Sequence, residues 1–162
     1  MSGLRMRQIC LVARSLAPVV DEIRSVLALE VCHRDPGVGK FGLENALFPV
    51  GDGYLEVVAP VRDGTTAGRY LERRGGDGGY MVITQCDDLA ARRTRCEAVG
   101  VRIANEIGYQ EYRELQLHPR VGTAAAGEQD ARGEDEHADR PYEVSKGAPH
   151  RALHAATFLP PL

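Results

Sequence analysis

The chain has 162 residues, 43% of them hydrophobic, with 20 Lys plus Arg against 23 Asp plus Glu and a formal net charge of -3. That length suits one domain or two small packed modules, and the absence of a long basic tract argues against nucleic acid as a main partner. No apolar stretch approaches the roughly 20 residues of a membrane-spanning helix. The N-terminus lacks the apolar block and cleavage site of a signal peptide, so a cytoplasmic protein with no membrane partner is expected.

The four cysteines, Cys10, Cys32, Cys86 and Cys96, form no C-x-x-C pair, which excludes a zinc ribbon. Cys10 and Cys86 sit inside apolar runs and read as reduced core thiols.

In chain order, residues 7–14 form a mostly apolar run of strand length. Leu16, Val19, Val20, Ile23, Val26 and Leu27 then recur at helical spacing, which predicts a helix over 16–27 with Ser15 as its N-cap and Pro18 tolerated in the first turn. Short β-like runs at 29–33, 45–50 and 54–60 follow, separated by the turn formers Asp35-Pro36-Gly37 and Gly51-Asp52-Gly53. The first module is β-α-β-β-β.

The same order then restarts. Residues 80–86 read as a strand, Asp87 or Asp88 as a cap, and 89–99 as a helix ended by Gly100. Gln8 to Leu16 and Met81 to Leu89 are both nine residues ending in a capped Leu-Ala, which defines an internal repeat with an offset of 73. Val101 to Ala104 supplies the copy's second strand, and Leu117-His118-Pro119 matches Leu47-Phe48-Pro49. A strand equivalent to Tyr54 to Val58 belongs near Thr123 to Glu128, where the segment lacks the β-branched and aromatic residues of a good strand. From Gly127 onward acidic residues crowd together and large apolar ones nearly vanish. The expected organisation is a first module over 1–62, a Gly-rich connector over 63–79, an incomplete second module over 80–126 and an unstructured polar tail over 127–162.

The paired modules, the Gln8-Ile9-Cys10-Leu11-Val12-Ala13-Arg14-Ser15-Leu16 signature, the strand Tyr54-Leu55-Glu56-Val57-Val58, and Gly78-Gly79-Tyr80-Met81-Val82 ahead of Asp87-Asp88-Leu89 resemble the vicinal oxygen chelate superfamily. That superfamily includes glyoxalase I, methylmalonyl-CoA epimerase, extradiol dioxygenases and antibiotic-binding resistance proteins of the bleomycin type. Leu117-His118-Pro119-Arg120 looks like a stretch near the end of methylmalonyl-CoA epimerases. The resemblance covers about Leu4 to Arg120. It implies an α+β fold in which paired β-α-β-β-β modules form a cup-shaped mixed sheet, here with an atypical or missing last strand in the second module.

The resemblance further implies a divalent metal (Mg, Mn, Co, Ni, Zn or Fe) held by the first and fourth strands of each module, polarising two neighbouring substrate oxygens. Carried onto this chain, the first-module ligands are Gln8 and Glu56, both oxygen donors. The second-module positions fall on Met81, a thioether better suited to a core or pocket wall, and near Ala126, with no carboxylate closer than Glu128.

Period-two alternation places Tyr54, Glu56 and Val58 on one face of a strand. If that face lines the cup, a buried Glu56 carboxylate needs a metal or hydrogen-bond donors. If it faces outward, Glu56 is an ordinary solvated residue. Gln8 is either a ligand or edge decoration. His118 alternates with Gln116 opposite Leu115 and Leu117, which makes it a cup-facing base or hydrogen-bond donor at the rim in the catalytic reading, or a satisfied histidine at a sheet end. His150 and His154 share i, i+4 spacing within the tail and carry no assignment.

Three functional readings stay open. One is a metal-dependent lyase or isomerase acting on a small carbonyl or acyl-thioester substrate through Glu56, Gln8 and His118. Another is a metal-free small-molecule-binding protein of the same fold, which the loss of donors at Met81 and Ala126 suits. The third is a non-catalytic, altered-frame relative, motivated by the change of composition after Arg120. A homodimer is expected, because a weak last strand leaves a sheet edge for a partner.

Overall fold

A computed structural model describes residues 3–109, 112–118 and 153–158. Leu4–Val12 (β1) leads into Leu16–Leu27 (α1), then Leu43–Val50 (β2) and Gly53–Pro60 (β3). A second helix, Thr66–Arg74 (α2), precedes Gly78–Cys86 (β4), Leu89–Ala98 (α3), Ile103–Tyr109 (β5), Tyr112–Leu117 (β6) and Leu153–Phe158 (β7). The strands form one mixed sheet in the order β2-β3-β1-β4-β7-β6-β5. The two modules meet where β1 and β4 pair antiparallel at its centre. The fold is α+β, as the repeat predicts.

Local physics accounts for the element ends. Ser15 has the extended backbone of an N-cap, but its side chain makes no capping hydrogen bond, and α1 closes on Ala28 at φ 53°. At α3 the cap is Asp88, whose side chain accepts from the Ala91 N–H at 2.9 Å. Residues 29–33 yield a single bridge, His33 to Leu47, in place of a full strand. The turn formers beyond them wind a 3-10 helix, Pro36–Phe41, capped by Asp35 through the Gly37 N–H at 2.8 Å.

The connector holds more order than its glycines suggest. Ala67, Tyr70 and Leu71 bury one side of α2, and Thr65 caps it by accepting from the Gly68 N–H at 2.9 Å. The Tyr70 hydroxyl donates to the Gly79 carbonyl at 2.8 Å, tying the helix to the start of β4.

Two apolar clusters follow from strand alternation. On one face, Ala46, Phe48, Val57 and Ala59 pack against Ala13, Leu16 and Val20 of the α1 region. On the other, Cys10, Val12, Val58 and Tyr80 pack against α2. Glu56 shares this second face with Val58. Cys10 and Cys86 are buried, and all four cysteines are free.

The expected unstructured tail is corrected at its end, because residues 153–158 form β7 between β4 and β6. Their Ala-rich composition is a weak local signal, and the pairing is made by strands distant in sequence. β7 fills the slot that β3 fills in the first module, with reversed direction: β3 runs parallel to β1, whereas β7 runs antiparallel to β4. The last strand is therefore atypical. The open edge predicted there is closed, and the ends of the sheet are β2 and β5.

Candidate functional site

β3 brings Glu56 opposite Cys10 of β1 and opposite Leu47 of β2. The side chain is 6% exposed, which settles the alternation in favour of an inward carboxylate. Burial of an ionised carboxylate demands compensation, and the neighbouring strands supply it. The Gln8 amide Nε2 donates to Glu56 Oε2, and the Asn45 amide Nδ2 donates to Oε1 at 2.6 Å. Asn45 is itself buried and oriented by its other atom, since Oδ1 accepts the Asp35 N–H at 2.8 Å. A chain of hydrogen bonds thus links the Asp35 cap, Asn45, Glu56 and Gln8.

Burial pushes the Glu56 carboxyl above its usual range, with Asp35 adding to the push. Hydrogen bonds from Asn45, Cys10 and Gln8 act in the opposite direction. Burial and the Glu56 charge push the Cys10 thiol well up, so it stays protonated beside the carboxylate. Gln8 is the half-buried member of the group. Asn45, by contrast, is buried and anchored at both ends of its amide.

The other sequence candidates lie elsewhere. Met81 pairs with Cys10 across the β1–β4 seam and packs, partly buried, on the core beneath α2. His118 follows β6, four strand positions from β3 along the sheet, and its backbone N–H donates to the Arg102 carbonyl at 2.9 Å. Ala126 lies outside the described residues. The slot it was expected to fill belongs to β7: the offset of 73 carries Cys10, the partner of Glu56, onto Ile83, whose partner in register on β7 is Ala156.

The residues present do not fit a divalent centre of the implied kind. Both Glu56 oxygens face N–H donors, and the second-module equivalents of Gln8 and Glu56 are Met81 and Ala156, neither an oxygen donor. Among the described residues, no three His, Cys, Asp or Glu side chains gather into a ligand set. Sequence reasoning missed Asn45. The available signal was an amide on the same face as Leu43 and Leu47 in a strand, a context that disfavours Asn without a partner.

These features place the chain in a structural class: it has the vicinal oxygen chelate fold. Among solved structures it is similar to a hypothetical protein from Bacillus halodurans C-125, with a TM-score of 0.67 and 16% identity over 96% of this chain and 94% of that one. It is also similar to Streptomyces coelicolor methylmalonyl-CoA epimerase in complex with 2-nitronate-propionyl-CoA, with a TM-score of 0.61 and 20% identity over 94% and 96%. The epimerase from Mycobacterium tuberculosis matches with a TM-score of 0.56 and 20% identity over 65% of this chain and 70% of that one. No protein-family model and no curated protein matches the chain. Among the described residues, no helix is long and apolar enough to cross a membrane.

Proposed function

We propose that this chain is a small-molecule-binding protein of the vicinal oxygen chelate fold that uses the Glu56 carboxylate, rather than a divalent metal, to hold the polar end of its ligand. The observation that carries this reading is the occupation of both carboxylate oxygens by the Gln8 and Asn45 amides. A carboxylate so arranged exchanges the Gln8 donor for a hydroxyl or amine of the ligand, while Asn45 keeps the other oxygen fixed. Met81 and Tyr80 pack in the core cluster beside Cys10. The Streptomyces neighbour is complexed with an acyl-CoA analogue, so acyl thioesters stand first among ligands to screen.

Metal analysis of protein purified without chelator tests the reading, with substoichiometric divalent metal as the expected result. A near-stoichiometric metal that is lost in Glu56→Ala overturns it in favour of the metal-dependent lyase or isomerase. Glu56→Gln keeps the shape and removes the charge. Any ligand found by screening is expected to bind this variant at least about tenfold more weakly, as loss of a hydrogen bond to a charged group implies.

A further inference from the structure

β1 carries an irregularity between Met6 and Gln8 that leaves Arg7 as an extra residue against β4. Gln8 pairs with Ile83 and Arg5 with Gln85, so the extra residue shifts the alternation by one and puts Arg5 on the face that holds Gln8 and Glu56. The Arg5 guanidinium donates through Nε and Nη2 to the Oε1 of its register partner Gln85, at 3.0 and 2.6 Å. Arg7 lies 5.0 Å over the ring of Tyr54, which is two residues from Glu56 on its face.

These side chains, with Pro49 and the Gly51-Asp52-Gly53 turn, line a cleft of about 420 Å³. The turn seats closely on β1, since a Cβ on Gly53 would meet the Arg7 carbonyl oxygen at 2.8 Å. It thereby offers the Asp52 carbonyl to Arg7 Nη1 at 2.8 Å. The Tyr54 ring and that carbonyl fix the guanidinium plane, while its Nε–Nη2 edge and the Nη1 of Arg5 stay clear of protein acceptors among the described residues. Two guanidiniums outweigh the one carboxylate of Asp52 in this cleft, on a chain whose net charge is negative.

We propose that Arg5 and Arg7 form an oxyanion subsite at the mouth of the cup, taking a phosphate or carboxylate group carried by the ligand whose polar end meets Glu56. The fork of Arg7 suits bidentate contact with either group, and its ring partner keeps it preorganised. The placement with respect to Glu56 rests on the function proposed above. The anion subsite itself does not.

Calorimetric titration of the full chain with inorganic pyrophosphate and, separately, with succinate tests the proposal. Saturable binding of at least one probe is expected, weakened by added salt and weakened about fivefold or more in Arg5→Gln and in Arg7→Gln. Tighter pyrophosphate binding assigns a phosphate-bearing ligand, and tighter succinate binding assigns a carboxylate. Arg5→Gln guards against a folding defect, because Arg5 is exposed and bonded only at the surface. Absence of binding by both probes, or binding indifferent to both substitutions, overturns the subsite. The probes report on the arginine cleft alone, so a failure of the Glu56 reading leaves this result standing and separately readable.

Discussion

Asn45→Ala is the sharpest perturbation of the carboxylate cage. It removes the 2.6 Å bond to Glu56 Oε1 and strands the Asp35 N–H that donates to Asn45 Oδ1 at 2.8 Å. A hydrogen bond to a charged group contributes about 1.5–3 kcal/mol, and an unsatisfied buried donor costs about 1–3 kcal/mol. Allowing for water entering the vacated space, a loss of about 3 kcal/mol is expected at neutral pH, read by urea unfolding with an unchanged slope. The pH dependence is the more discriminating readout. Glu56 has a folded-state pKa above its ordinary 4.5, so its contribution to stability is fully present below that value and is lost as pH rises through the folded value. Asn45 opposes that loss by holding the charged form, and its removal raises the folded pKa further. The variant therefore loses most at about pH 8 and less at about pH 5, where protonation relieves the stranded charge. A loss below about 1 kcal/mol, or an equal loss at both pH values, refutes the cage.

Phe48 is 0% exposed in the cluster between the sheet and α1, so Phe48→Ala is expected to cost about 3–5 kcal/mol by chemical denaturation. Cys10 is buried beside a negative charge whereas Cys32 is exposed. Iodoacetamide followed by peptide mass mapping is therefore expected to label Cys32 in the native protein and Cys10 only after unfolding, and early labelling of Cys10 contradicts the placement.

What the sequence made legible is what neighbouring residues decide. The apolar spacing from Leu16 to Leu27 determines α1, and the alternation around Glu56 groups it with Tyr54 and Val58, while only the packing shows that their face is buried at Glu56. α2 was obscured because Arg69, Glu72, Arg73 and Arg74 outnumber Ala67, Tyr70 and Leu71, although those three lie at i, i+3 and i+4. β7 was illegible for a different reason: it pairs with β4, 69 positions earlier at the closest register pair, Gln85 with His154, and with β6 across a long connection. Glu56 and Gln8 were legible as a pair through the resemblance alone. Asn45 became meaningful only when strand pairing set it beside Glu56 and the Asp35 cap set its amide.

The repeat and the site have parted company. In the first module, Gln8, Asn45 and Glu56 converge on one buried charge. The same offset in the second module yields Met81, and the slot opposite Ile83 yields Ala156 on a strand running the other way. A metal centre shared between two sheets needs donors from both, whereas a hydrogen-bonded carboxylate needs neighbours only from its own strands. The buried Glu56 carboxylate persists only with amide donors close at hand, because an isolated buried carboxylate would take up a proton instead. Gln8 and Asn45 meet that requirement from β1 and β2, on either side of β3.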